Sequence, residues 1–298
     1  MTHRALTSIR AAAAALALVT AALLPSGSAT AQSSSAAAPT TAAPGITLSQ
    51  TTDARATAPR TAKPTIVLVH GAWADASSWT GVAARLQKAG YTVLAPPNPL
   101  RSLLGDADYL RAFLSTIDGP VVLVGHSYGG AVITNAATGN PNVKALVYVD
   151  AFAPAQGETV NSLVGQGSAL TADPTTLFDV RPYLPAPAGD ADAYLKPVVF
   201  TTSFAQDLPR GRALLLAVTQ RPITLLAGSQ PSGNPAWSTI PSWYLLGTKD
   251  KIITPAAQLA MARRAGSHIV KVRASHVSLI THSHATEMLI VQAADMTS

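Results

Sequence analysis

The stretch Val121-Val-Leu-Val-Gly-His-Ser-Tyr-Gly-Gly130 limits what this chain can fold into more than any other. Four apolar residues, three of them β-branched, run into Gly125-His126-Ser127-Tyr128-Gly129, and Ala131-Val-Ile-Thr-Asn-Ala-Ala137 follows as a helix. A Gly-x-Ser-x-Gly segment between a strand and a helix is the setting of a nucleophile elbow. The glycines are needed because strand and helix converge there, leaving no room for side chains around a strained serine backbone. Ser127 Oγ is thereby held above a sheet edge, with the free N–H groups of a helix start behind it.

The segments around the elbow alternate. Thr65-Ile-Val-Leu-Val-His70 reads as a strand closed by Gly71-Ala72-Trp73, and Trp79 to Ala89 as a helix stopped by Gly90. Tyr91 to Ala95 is the next strand. Gly105 to Ile117 carries Leu110, Phe113, Leu114 and Ile117 at helical spacing. Val143 to Val149 is again a strand. Strands that are apolar on both faces and alternate with helices predict a mostly parallel sheet covered on both sides. The alternation breaks between Asp150 and Ile240, where prolines, glycines and short helical patches such as Arg212 to Thr219 suggest an insertion. It resumes with strand Ser242 to Leu246, helix Pro255 to Ala265, strand His268 to Val272 and a last helix over Ala285 to Ala294. The expected fold class is α/β, with a lid over about 151–240 inserted after the sixth strand.

A serine hydroxyl is a weak nucleophile at neutral pH and needs an adjacent base, itself oriented by an acid. The elbow topology predicts the chain order serine, acid, histidine. Asp250 follows the strand ending at Leu246 and His276 follows the strand ending at Val272, so both belong on the edge from which Ser127 emerges. Asp150 also ends a strand and is the alternative acid. His268 precedes its strand, on the opposite edge, while His282 and His284 lie beyond the loop. His126 points away from a strained turn and reads as a packing or hydrogen-bonding residue. Acyl transfer also requires donors for an oxyanion. The backbone N–H of Tyr128 is one, and that of Ala72, in the loop opened by Gly71, is the chosen second. Trp73 and Trp79 are candidates for a pocket wall and equally for core. Phe152, Phe178, Phe204, Leu214 and Trp237 are available from the lid.

His70-Gly-Ala-Trp73, Gly125-His-Ser-Tyr-Gly-Gly130, Gly247-Thr-Lys-Asp250 and Ser275-His276 together resemble the α/β-hydrolase superfamily. Within it the chain is most similar to the compact branch of plant methylesterases and hydroxynitrile lyases, a likeness that Asp150-Ala-Phe-Ala-Pro154 and Arg221-Pro222 share. The resemblance covers about 64–298. It implies an α/β-hydrolase fold with an eight-stranded type of sheet, a small helical lid, the triad Ser127, Asp250 and His276, and oxyanion donors at Ala72 and Tyr128. Lyases of that branch carry Thr at the position of Gly71, and a Lys after the histidine, where this chain has Val277. Hydrolysis is therefore the expected reaction, on small or medium carboxylic esters and without a cofactor. The same triad acting on an amide, a lactone or a cyanohydrin, or a ligand-binding role with little turnover, is the alternative.

The ends and the charge complete the expectation. His3, Arg4 and Arg10 precede the apolar run Ala11 to Leu24, and Ala29-Thr30-Ala31 offers a small-residue cleavage site. The run falls short of the roughly 20 residues that a membrane span needs, so 1–31 reads as a signal peptide cleaved near Ala31. The protein is then secreted, with no stable membrane insertion afterwards. Residues 32–63, rich in Ala, Thr, Ser and Pro, read as a disordered linker, and 64–298 as one domain. No cysteine is present, so neither a disulfide nor a thiol nucleophile is available; the 48% hydrophobic residues must supply a core. The net charge of +6 is scattered, without an aromatic-interleaved basic stripe, so the expected partner is a small-molecule ester and not nucleic acid. No metal site is expected, since His282-Ser-His284 reads as an exposed helix start.

Overall fold

The computed structural model describes residues 63–297. The signal peptide expected over 1–31, and the linker expected over 32–63 apart from its last residue, lie outside the described residues. In chain order the first half comprises β1 (Thr65–Val69), α1 (Thr80–Lys88), β2 (Val93–Leu94), α2 (Leu103–Leu114), β3 (Val121–His126), α3 (Tyr128–Ala136) and β4 (Val143–Val149). The insertion holds α4 (Pro174–Leu177), β5 (Phe178–Arg181), β6 (Asp192–Leu195), α5 (Pro197–Val199), α6 (Arg210–Thr219) and β7 (Ile223–Thr224). The chain closes with β8 (Ser242–Gly247), α7 (Pro255–Arg264), β9 (His268–Val272), α8 (Ser278–Thr281) and α9 (Ser283–Thr297).

The main sheet has the order β2-β1-β3-β4-β8-β9, and every pairing in it is parallel. β3 is buried along its whole length, and β4 exposes only Lys144. That follows from sequences apolar on both faces, with α1 and α9 packed together against the strands, and α2 against α3. The eight-stranded sheet implied by the resemblance becomes six strands among the described residues, so the insertion follows the fourth strand rather than a sixth.

The insertion is also not purely helical. β5, β6 and β7 form a separate antiparallel sheet, in which Phe178 opposes Leu195 and Ala193 opposes Ile223. These strands pair their backbone while offering only one or two apolar residues each to the interior, too few to show a period of two. Among the described residues no helix is long and apolar enough to cross a membrane.

The order of the strands places the site. The chain leaves β1 towards β2 on one side and returns to β3 on the other, so the loops after β1 and β3 diverge. A crevice opens outside the carboxyl ends of adjacent parallel strands at such a reversal. The loops after β8 and β9 reach the same edge.

Candidate active site

Ser127, directly after β3, has φ 52° and ψ −124°, a region that costs a non-glycine residue about 1–3 kcal/mol. Its neighbours hold it there. The Ser127 N–H donates to the Val149 carbonyl (3.3 Å), and its carbonyl accepts from the N–H groups of Gly130 (2.9 Å) and Phe152 (3.1 Å). A Cβ on Gly125 would stand 2.6 Å from the Gly129 carbonyl oxygen, and one on Gly129 would stand 2.6 Å from the Val69 carbonyl oxygen. Both obstacles are backbone, so no side-chain shift relieves them.

Ser127 Oγ donates to His276 Nε2 at 2.8 Å, and His276 Nδ1 donates to Asp250 Oδ2 at 2.7 Å. All three residues are buried. Burial pushes the imidazole of His276 down to about 3, so it rests neutral, with the Nε2 lone pair towards the serine. Burial also lifts the Asp250 carboxyl above its usual range. The N–H groups of Ile252 (2.7 Å), Ile253 (3.0 Å) and the Gln258 side chain (2.7 Å) work against that lift, because each favours the anion. The loop after β8 thus folds around its own acid.

The alternative acid, Asp150, lies at φ 44° at the end of β4. Its Oδ2 accepts from the Ser278 N–H (3.1 Å), while its Oδ1 has no partner among the described residues. It makes no hydrogen bond to His276. The other histidines also stay apart from the serine. His268 stacks on Trp243, His282 meets Thr281 Oγ1 (2.9 Å) and His284 meets Glu287 (3.0 Å). His126 donates from Nε2 to the carbonyl of His276 (2.8 Å), a hydrogen-bonding role on the backbone of the expected base.

On the other side of Ser127 lie the two expected donors. Neither the Ala72 N–H nor the Tyr128 N–H has an acceptor among the described residues. Tyr128 is the first residue of α3, where an amide has no partner in the preceding turn. The aim of Ala72 is set by His70. His70 Nε2 accepts from the Asn98 N–H (3.0 Å), so its proton is on Nδ1, which donates to the Gly71 carbonyl (3.0 Å). The Gly71–Ala72 peptide is planar, with C=O and N–H on opposite sides, so fixing the carbonyl fixes the direction of the Ala72 N–H. Burial lowers the His70 imidazole and keeps it in this neutral form.

A cavity of about 440 Å³ opens beside Ser127, Ala72 and Tyr128, walled by Trp73, Phe152 and Phe178 among others. Among the described residues, no acid, lysine, arginine or histidine lines it. Trp73 spans loop and lid: its backbone N–H donates to the Arg221 carbonyl (2.9 Å) and its indole N–H to Ala193 (2.9 Å). Trp79 is core, fully buried against His126. Phe204 packs edge-on to His276 rather than lining this cavity, and Leu214 and Trp237 do not line it either. Trp237 instead donates to the Pro154 carbonyl (3.0 Å). Asn98, Asp106, Asp207 and Gln258 all support the site and escape the sequence pattern. Only Asp106 carried a readable signal, an acid in register with the buried Leu103, Ala107 and Leu110; it accepts from the Tyr128 hydroxyl at 2.8 Å.

A model of the alpha/beta hydrolase family matches residues 66–289. The chain belongs to the alpha/beta hydrolase family. Among curated members, it is 40% identical over 111 residues to a carbendazim hydrolyzing esterase of Nocardioides sp. (strain SG-4G), covering 33% of this chain and 46% of that one. The chain thus spans under half the length of that esterase. It is 28% identical over 255 residues to the alpha/beta hydrolase nvfD of Aspergillus novofumigatus, covering 78% of this chain and 97% of the relative. In structure, a pyrethroid hydrolase from Sphingobium faniae JZ-2 shares the alpha/beta hydrolase fold with a TM-score of 0.63 at 22% identity, over 78% of this chain and 97% of that one.

Proposed function

We propose that the protein is a secreted serine carboxylesterase acting on small or medium uncharged esters. The observation that carries the reading is the continuous hydrogen-bonded line from Ser127 Oγ through His276 to Asp250, opposite two unused N–H donors. Ser127 Oγ attacks the ester carbonyl carbon while its proton passes to His276 Nε2. The Asp250 carboxylate then faces an imidazolium. The oxyanion accepts from Ala72 and Tyr128, each such donor being worth about 10²–10³ in rate. Collapse of the tetrahedral species expels the alkoxide, which takes the proton from His276 and leaves as the alcohol, with the acyl group on Ser127. Water then attacks the acyl-enzyme and gives a proton to His276. Ser127 recovers that proton as the carboxylic acid departs.

A cavity walled by apolar and uncharged polar side chains supports a neutral ester, since a charged acyl group would lose its hydration there without a partner. Val277, buried beside the base, favours hydrolysis over cyanohydrin cleavage, because it cannot hold the charge of cyanide. The curated esterase relative is in keeping with this reading, and the basic-then-apolar start of the chain supports export. The test is hydrolysis of p-nitrophenyl acetate, butyrate and octanoate by the protein and by Ser127→Ala. Turnover that collapses in the variant is expected; equal slow rates in both would sink the esterase reading.

A further inference from the structure

Three residues of the insertion reach out of the lid onto the loops that carry the acid and the base. Phe204 sets its ring edge-on to the His276 imidazole, with centroids 5.0 Å apart. Gln206 Nε2 donates to the carbonyl of Lys249, the residue before Asp250, at 2.7 Å. Asp207 accepts from the N–H of Ser275, the residue before His276, at 2.7 Å, and its other oxygen accepts from the Ser275 hydroxyl. Ser275 is fully buried. The backbone of His276 is therefore tied on both sides. The core ties its carbonyl through His126 Nε2, and the lid ties the preceding amide through Asp207.

These ties define the direction in which the imidazole leaves the chain. Nε2 must meet a hydroxyl that a strained turn already holds in place, so neither partner can search for the other. We propose that Asp207 is a positioning residue: the lid, through the Asp207–Ser275 clamp, sets the reach of His276 towards Ser127. The insertion then does two things, walling the cavity and completing the base. Replacement of its 204–207 segment would lower the chemical step even if the cavity kept its shape. This inference rests on the esterase reading given above.

The test is a double-mutant cycle read with p-nitrophenyl butyrate turnover and with covalent labelling of Ser127 by diisopropyl fluorophosphate. Asp207→Ala is expected to lower kcat and the labelling rate by about 10- to 100-fold, the scale of a small misplacement of a reacting group, with KM changed less than about twofold. In a His276→Ala background the same substitution should change neither rate. Asp207→Asn keeps an acceptor for the Ser275 N–H and should recover most of the loss. Ser275→Ala removes only the hydroxyl arm and should give a smaller decrease than Asp207→Ala. An Asp207→Ala loss of equal size in the His276→Ala background would overturn the clamp, as would unchanged labelling. An Asp207→Asn protein as slow as Asp207→Ala would assign the effect to charge and overturn it too. Absence of labelling and turnover in the unmodified protein would instead overturn the esterase reading, and the clamp with it.

Discussion

A Cβ on Gly71 would stand 2.6 Å from Ser127 Cβ, 2.9 Å from the His126 carbonyl oxygen and 3.2 Å from Ser127 Oγ. The nearest of these atoms belongs to the residue that must stay in place. Gly71→Thr, the residue found in the lyase branch, should therefore push the nucleophile and the oxyanion loop apart and cost about 100-fold in kcat. Ester turnover of the folded variant checks this, and a loss below about threefold would mean that the loop can yield. The two candidate acids separate in the same way. Asp250 faces the base, so Asp250→Asn should lower kcat by about 10³–10⁴, the cost of an imidazole held in the wrong tautomer. Asp150 is buried where burial and the neighbouring Asp250 charge lift its carboxyl well above the usual range, so a neutral amide removes a charge that this site disfavours. Asp150→Asn is expected to keep kcat within about tenfold. The reverse ranking would make Asp150 the acid.

Each functional group is fixed by where a strand stops. β1 delivers Ala72, β3 Ser127, β8 Asp250 and β9 His276, and parallel pairing brings these four strand ends to one edge. The helices behind them are joined by polar contacts that the apolar pattern conceals. Asp106 on α2 takes the Tyr128 hydroxyl of α3 through one oxygen (2.8 Å) and the Arg101 N–H through the other (3.1 Å). Burial raises its carboxyl even so, with the Tyr128 hydrogen bond the largest opposing influence. Asp106→Ala removes the acceptor of both donors, of which the Tyr128 hydroxyl is buried. Each stranded group costs about 1–3 kcal/mol, so a clear fall in the urea midpoint at unchanged slope is expected. An unchanged midpoint would show that α2 and α3 do not depend on this link.

Taken whole, the domain keeps three histidines buried, His70, His126 and His276, and burial lowers all three. The unfolded chain accepts protons that the folded chain refuses, so the stability tied to these groups is complete above about 6.5 and falls as the pH drops below it. The lifted carboxyls of Asp106, Asp150 and Asp250 act with the opposite sign, because folding raises the pH at which each gives up its proton. His126→Gln, which retains a donor for the His276 carbonyl, isolates one histidine. Its unfolding free energy should decline less between pH 7 and pH 5 than that of the unmodified protein, and a parallel decline would contradict a buried neutral His126. Much of this architecture is legible in the sequence. Strands such as Val121–Val124 are apolar on both faces, and Ser127, Asp250 and His276 each follow a strand that the alternation with helices marks, so pattern and chain order bring them to one edge. Asp207 is not legible, because an exposed acid in a short loop has no period and gains its meaning from Ser275, 68 residues away in the chain. β5 to β7 were hidden for a related reason, since strands of two to four residues show too little alternation. One pairing has a consequence for how such a molecule can change over generations. β4 lies directly against β8, although about 90 residues separate them. The entropy of closing a loop rises only logarithmically with its length, by about 0.6 kcal/mol per doubling. The sheet is therefore nearly indifferent to how much chain is inserted at this point. Descendants can lengthen, shorten or exchange the inserted segment while the edge that carries Ser127, Asp250 and His276 stays as it is, provided that whatever replaces it still grips the backbone beside His276.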